Sequence, residues 1–545
     1  MNLLDSIIGY VAPAWGAQRL EARALMSQIN TIMGTGVGYA NAQKTRLNRP
    51  RSTALVKDHA LPQQQYQNLT VDSWTLYRDK PYVRKLVNSL ISKVIGKGMS
   101  PKPTVVNDDG SANVAFNQRA AKLWSEVQDV LDWRGLPGSG GQTLSGIQRL
   151  ALKATILSGN VFYCLVPLDG PERLRRESPV GLAIQLLDMS RLVADQDVPS
   201  DKVAEGNQLY RGIELDATGK RVAYWFNTIR PGEATPALRN AKRRSAQEIG
   251  HLFVEDDIDQ YIGTPWMCSV TQKIRDIDDL EYNVLKQSAM AACVVGSYSL
   301  PTGATKFGLN ATDANLPTAD STDLTDIDGN KVSRIQPAMM VNTSGGGAFE
   351  LHSPNQPNLN PEAFVQHMLR SVAAGLPGMK GSSLTGDYRN SSFSSEKAAD
   401  NDCWPEIEAV QDWFASSFIQ PIYDRIVRDA VFYKYFDGIV TSDEVTANPT
   451  RFTACQWQGP VRKSINEVDD VKAAADRVRA GQSSLQMECS KLSVDWQQVL
   501  RDGDELYQQA KALGLPDEVV NNYLGVDAND VIAVANANAQ GAANA

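Results

Sequence analysis

The stretch from Glu396 to Tyr435, EKAADNDCWPEIEAVQDWFASSFIQPIYDRIVRDAVFYKY, decides how the chain is built. Trp404, Ile407, Val410, Phe414, Phe418, Ile422, Ile426 and Val427 recur every three or four residues, which gathers them on one face of a helix. A stripe that long needs a core to face. Pro421 is expected to kink the helix, since proline has no N–H to continue the ladder.

Just before it, MKGSSLTGDYRNSSFSS (379–395) is too polar to bury much apolar area and reads as a mobile loop. A long polar loop between two strong helices is uncommon in a compact domain and is usually functional. Its residues Lys380, Asp387, Tyr388 and Arg389 are therefore the candidate site. Further upstream a helix runs from Pro361 to about Ala374 and breaks at GLPG. Residues 298–360 are rich in Gly, Pro, Asn, Asp and Thr and read as a loop-rich insertion, with short extended pieces AMMVNTS and AFELHSP. Before the insertion, IGTPW opens a long helix from about Pro265 to Val295, which Gly296 ends.

The N-terminal half gives helices from Trp74 to Ile95, Asn113 to Trp133 and Thr143 to Leu157. Strands follow in NVFYCLVPL and VGLAIQLLD, and QLYRGIELD and RVAYWFN form a hairpin through ATGK, with Gly219 in the turn. Helices followed by strands point to an α+β domain. At the C-terminal end come the strand FTACQWQ, short helices at about 466–480, 494–502 and 504–513, and an Ala/Asn tail expected to be disordered. Residues 1–60 read as an arm that orders on assembly.

Composition narrows the chemistry. A formal charge of −8 argues against a tight grip on DNA, which requires clustered Lys and Arg, but suits a conduit through which DNA slides. The six cysteines are scattered without a CxxC pair and read as buried thiols of a reducing compartment. The four histidines lack metal-ligand spacing, so no metal and no cofactor are expected. No run of eighteen apolar residues and no signal peptide appear, so a soluble chain, cytoplasmic where it is made and with no membrane partner, is expected. Gly135 to Gly141 lacks the Gly-Lys-Ser/Thr ending of a phosphate loop, and the serines near Phe393 have no GxSxG elbow. The acidic run Glu255, Asp256, Asp257 and Asp259 reads as a solvated loop, with divalent-cation binding as the alternative. The basic pieces RLRR (173–176) and RNAKRR (239–244) read as solvated faces, with nucleic-acid contact as the alternative.

Taken in order, WTLYRDKPYVRKLVNSLISKVIGKGMSPKP, SGNVFYCLVPL, IQLLD, HLF with IGTPWMCSVTQKIRDIDDLEYNVLKQSAMAACVVGSY, LRSVAAGLPGMKGSSLTGDYRNSSFSSEKAADNDCWPEIEAVQDWF and QWQGPVRKSINEVDDVKAAADRVRAGQSS resemble the lambda-type family of phage portal proteins, over about residues 70–500. One departure is Lys397, where the family often has arginine.

The resemblance implies a mainly helical α+β portal fold with wing, stem, clip and crown regions, assembled as a ring, typically a dodecamer. The segments then become an N-terminal arm (1–60), a wing (61–264), a stem helix (265–297), a clip (298–360), a second stem helix (361–378), a tunnel loop (379–395), a long kinked helix (396–435), a crown and C-terminal helical region (436–515) and a flexible tail (516–545). It further implies a non-enzymatic virion component at the capsid portal vertex, passing double-stranded DNA non-specifically. The partners it implies are the terminase large subunit, head-tail adaptor or completion proteins, and the major capsid and scaffold proteins. Exchanging the loop around Lys380 to Arg389 for a short glycine linker is expected to leave rings intact but impair packaging or DNA retention. Two rivals stand beside this reading: a metal-dependent phage-head nuclease using the acidic run, and a scaffold or capsid component with no channel.

Overall fold

The computed structural model describes residues 63–516, apart from 196–197, 228–240, 300–323, 326–330, 333–338, 344–360, 390–391, 463–466 and 493–495. The arm (1–60), the tail beyond 516, most of the clip segment and the expected strand AFELHSP lie outside the described residues.

The helix expected from Trp74 is two helices, α1 (Gln63–Asp79) and α2 (Pro81–Val94). Lys80 between them is extended, and Pro81 enters the first turn of α2, where a missing N–H costs nothing. Val83, Leu86, Val87, Leu90, Ile91 and Val94 turn the inner face of α2 into core. After β1 (Ser100–Pro103) comes α3 (Val114–Glu126), whose N-cap Asn113 accepts from Phe116 N at 3.0 Å. It stops well before the expected Trp133. There the buried Asp132 carboxylate accepts from Arg134 and from Gln142 N, holding the chain in a turn. Next, α4 (Leu144–Ser158) is capped by Thr143 and closed by Gly159 at φ +76°.

The strands between Val161 and Leu252 form two antiparallel sheets. The first orders β3-β2-β8, from β2 (Val161–Pro167), β3 (Leu182–Asp188) and β8 (Ile249–Leu252). The second orders β4 (Gln208–Tyr210), β5 (Ile213–Leu215), β6 (Arg221–Phe226) and β7 (Lys242–Ser245), after which β8 (Ile249–Leu252) returns to the first. The expected hairpin is β5–β6, where Asp216 Oδ1 accepts from the N–H groups of Thr218 and Lys220 and Gly219 takes φ +84°. QLYRGIELD itself folds back at Arg211 and Gly212 into β4 and β5.

Both basic pieces give up charge to the fold. Arg243, on edge strand β7, meets the fully buried Glu214 at 2.8 Å. Arg176 is buried behind the short helix Gly170–Arg175 and donates to the carbonyls of Val130 and Asp132. In the acidic run, the Gln260 side-chain oxygen accepts from the backbone of Asp256 and Asp257. Among the described residues no group of three or more His, Cys, Asp or Glu is placed to hold a metal ion. Cys164 and Cys489 are buried free thiols, whereas Cys268, Cys403 and Cys455 are only half-buried.

Beyond a 3-10 turn at Trp266–Ser269, α5 (Thr271–Cys293) gives way to β9 (Val294–Ser299), so residues 294–297 of the expected stem helix are strand. The β-branched pair Val294 and Val295 favours that switch. Within the loop-rich stretch, the AMMVNTS strand is β10 (Met339–Thr343), parallel to β9. The chain then forms α6 (Pro361–Ala373) and, after a five-residue helix at Gly381–Thr385, α7 (Phe393–Phe414).

A single π-helical turn, Ala415–Ile419, separates α7 from α8 (Gln420–Phe432). Pro421 falls in the first turn of α8, and the wider turn before it absorbs the missing N–H. Phe414, Phe418, Ile422, Tyr423, Ile426 and Val427 are all no more than 1% exposed and join the inner faces of α2, α3 and α4 in one core. Burying each contributes about 1.5–3 kcal/mol. Phe116 of α3 stacks on Phe436 with ring centres 4.5 Å apart. The strand β11 (Cys455–Gln458) pairs antiparallel with β1 and ties the end of this region to its beginning. Helices Glu467–Arg479, Leu485–Lys491 and Trp496–Ala512 follow, the last running straight through Gly503 where a break was expected.

Candidate functional site

The expected mobile loop at 379–395 is smaller and more structured than its composition suggests. Met379 and Leu384 are buried, and Leu384 anchors the Gly381–Thr385 helix in the core. At the C-terminal end the loop is over by Ser392, which with Ser395 forms a reciprocal capping box at the start of α7. Polarity concealed this because a single leucine, placed by a single helical turn, is enough to fasten the segment.

The approach is set by Gly378. Its φ is +62°, and a Cβ there would lie 2.4 Å from the Ile407 side chain, so the chain can pass α7 only without one. Gly378 N donates to Glu406 Oε2 at 2.6 Å, and its carbonyl accepts from Lys93 Nζ of α2 at 3.0 Å. Burial pushes the Lys93 ammonium below its usual range, against the pull of Asp400.

Lys380 comes next and is only 14% exposed. Its ammonium lies 2.5 Å from Glu396 Oε2 and 2.8 Å from Asp400 Oδ1, one turn apart on α7. Burial works against the charge, but hydrogen bonds to Asp400 and Glu396 outweigh it and hold the pKa above the ordinary lysine value. Ser382 Oγ adds a bond to the same Glu396 oxygen.

Asp387 and Arg389 form a second, separate cluster. Arg389 grips Asp387 through Nε at 3.0 Å and Nη2 at 2.8 Å, and Nη2 also reaches Glu362 of α6 at 3.0 Å. The Arg389 bonds hold the Asp387 carboxyl down at about 2. Tyr388 projects outward, 55% exposed. A cleft of about 240 Å³ runs between the clusters, lined by Gln366, Arg370, Lys380, Ser382, Asp387 and Glu396.

Two cations thus meet four carboxylates, so the segment presents no net positive surface. Lys380 acts as a fastener. Of the four candidate residues, Tyr388 and Arg389 are the exposed ones. Sequence reasoning missed the partners Glu362, Glu396, Asp400 and Lys93. The i, i+4 spacing of Glu396 and Asp400 was the available signal, since it places both acids on one helix face.

Comparison with known proteins supplies the lineage. The model of the family described as phage portal protein, lambda family, matches residues 44–411, well over half of the chain and all of the candidate site. The chain belongs to that family. Its curated relatives include portal protein B of Escherichia phage lambda and the portal protein of Escherichia phage N15, each 25% identical over 187 residues. These matches span 33% of this chain and 34% of each relative, about a third of their length. A probable portal protein of Halomonas phage phiHAP-1 is 22% identical over 397 residues, 70% of each chain. Among solved structures, a chain from the virion of a native gene transfer agent particle is 12% identical, with 78% of this chain and 93% of that one covered at a TM-score of 0.34. Among the described residues no helix is long and apolar enough to cross a membrane.

Proposed function

We propose that this chain is the subunit of a portal: a closed ring at one vertex of a phage capsid, through which double-stranded DNA is packaged and ejected and to which the tail joins. The observation that carries this reading is the family match across 44–411, which takes in α1 through most of α7. In this reading the chain catalyses nothing; a terminase large subunit supplies the motor, and adaptor or completion proteins later take its place. The strand-bearing insertion between α5 and α6 is the docking region, because two helices flanking an insertion can project it away from the body. Each copy would present the same head-to-tail contact to the next, and closure sets the number of copies.

Within the tunnel-loop segment, the DNA-facing role passes to Tyr388 and Arg389, because Lys380 is held inside by Glu396 and Asp400. The test is native mass measurement with negative-stain imaging of the purified protein. A ring of about a dozen copies with an axial hole is expected. A stable monomer or dimer under assembly-permissive salt would sink the reading.

A further inference from the structure

The cations of the candidate segment are spent on carboxylates; beside it, on the outer face of α2, lie cations that form no ion pair among the described residues. Arg84, Asn88 and Ser92 are exposed there in a row of one-turn steps, with exposed Lys85 alongside. Lys85 Nζ lies against Gly386, so one edge of this face borders the candidate segment. On the other edge, Arg149 and Lys153 of α4 line a cleft of about 460 Å³ shared with Asn88, Ser92 and Gln142, and no carboxylate lines it.

These cations rest on aromatic rings and carbonyls. Arg84 Cζ and Lys153 Nζ sit 5.8 and 5.1 Å from the centre of the same Tyr77 ring, and Arg78 Cζ sits 5.6 Å from that of Trp74. Arg84 also donates to Arg78 O, and Arg149 to Ser145 O. Nearby acids are engaged elsewhere: Asp72 with Arg275, Asp278 with Lys80, and Asp387 with Arg389. Asp79, exposed at the end of α1, is the remaining acid beside Arg78 in sequence. Cations gathered on one surface repel one another, and an anion laid across that surface would offset the repulsion.

We propose that the outer face of α2 with the adjoining edge of α4 binds the phosphodiester backbone of nucleic acid. Phosphate recognition uses Arg and Lys with Ser, Asn and Gln donors, which is the set present here: Arg84 and Lys85 at the start of the outer face of α2, Asn88 and Ser92 along it, and Arg149 and Lys153 one turn apart on α4. Trp74 and Tyr77 are interleaved with them. In a chain of net charge −8, such a face gives weak, sequence-independent, salt-sensitive contact, compatible with a polymer that must keep moving. The choice of double-stranded DNA as the ligand rests on the portal reading.

The test is fluorescence anisotropy of a short labelled double-stranded DNA with the full-length protein across a sodium chloride series. The double variant Arg149→Gln/Lys153→Gln is expected to bind every sequence more weakly, with a log–log salt slope shallower by about 2. The charge-preserving Arg149→Lys/Lys153→Arg should keep the wild-type slope, which separates lost charge from lost fold. A wild-type slope in the Gln variant overturns the proposal. So does capture of poly-glutamate that unlabelled DNA cannot displace, which would make the partner an acidic protein segment. Native mass of the same samples keeps the two readings apart. Rings with an unchanged slope in the Gln variant remove the α2 face and leave the portal; non-ring species with the shallower slope do the reverse.

Discussion

The ammonium of Lys380 and the carboxylate of Asp400 stand 2.8 Å apart, and with Glu396 they fasten the segment following α6 to the first turns of α7. A lysine held by two acids one helical turn apart is part of the framework. The exposed and adaptable residues of that segment begin after Leu384.

Replacing Lys380 with Met should therefore destabilise the fold, by about 1.5–3 kcal/mol, because two half-buried carboxylates lose a charged hydrogen-bond donor. Urea unfolding of the variant reads this directly. Since the folded pKa of Lys380 is raised, its contribution is complete below the unfolded value near 10.4 and disappears only as pH climbs through the folded value. The wild type and variant should converge in stability at strongly alkaline pH.

Arg389→Ala and Tyr388→Ala should leave the unfolding midpoint where it is, since both side chains are exposed. By contrast, exchanging 380–389 for a glycine linker removes buried Leu384 as well as the Lys380 clamp. That exchange should lower the midpoint clearly, so the two point variants are the cleaner probes of the proposed DNA passage, expected to lower packaged or retained DNA per particle.

His251 carries a pH dependence of opposite sense. Its ring is stacked between Phe162 at 4.3 Å and Phe253 at 4.4 Å, and its Nε2 is 3.0 Å from Asn160 Oδ1. Burial, and secondarily Arg221, push its pKa well below 6.5. The unfolded chain takes up this proton near pH 6.5 while the fold refuses it, so stability declines as pH falls below that value, by about 1.4 kcal/mol per pH unit. His251→Phe should flatten the unfolding profile on the acid side; an unchanged slope would assign the effect to other groups.

Gly159→Ala should be among the most damaging single changes. The residue has φ +76°, and a Cβ would sit 2.3 Å from Gly263 O, where the end of α4 meets the turn before α5. Strain and collision together should cost on the order of 3 kcal/mol, visible as a large drop in melting temperature or as insoluble protein.

Phe116→Ala tests the joint between the N-terminal helices and the C-terminal region. The ring is fully buried against Phe436 and Phe452, and truncation should cost about 3–5 kcal/mol in denaturant unfolding.

The sequence by itself determined the helices with strong apolar stripes and the starts of α3 and α4, though not the end of α3. Asn113 and Thr143 cap α3 and α4, Gly159 closes α4, and the stripe from Ile407 to Val427 lines the core. These features are legible because caps, stops and three-to-four spacing are local. The hairpin at Gly219 was legible for the same reason. Tertiary structure decided the rest. Whether Lys380 points out or in depends on carboxylates contributed by α7, and Arg176 and Arg243 are spent on partners 46 and 29 residues away. A charged side chain reads the same in sequence whether free or paired; only the fold brings its partner within reach. The cations of α2 and α4 that form no ion pair among the described residues emerged in the same way, from which acids the packing had already used.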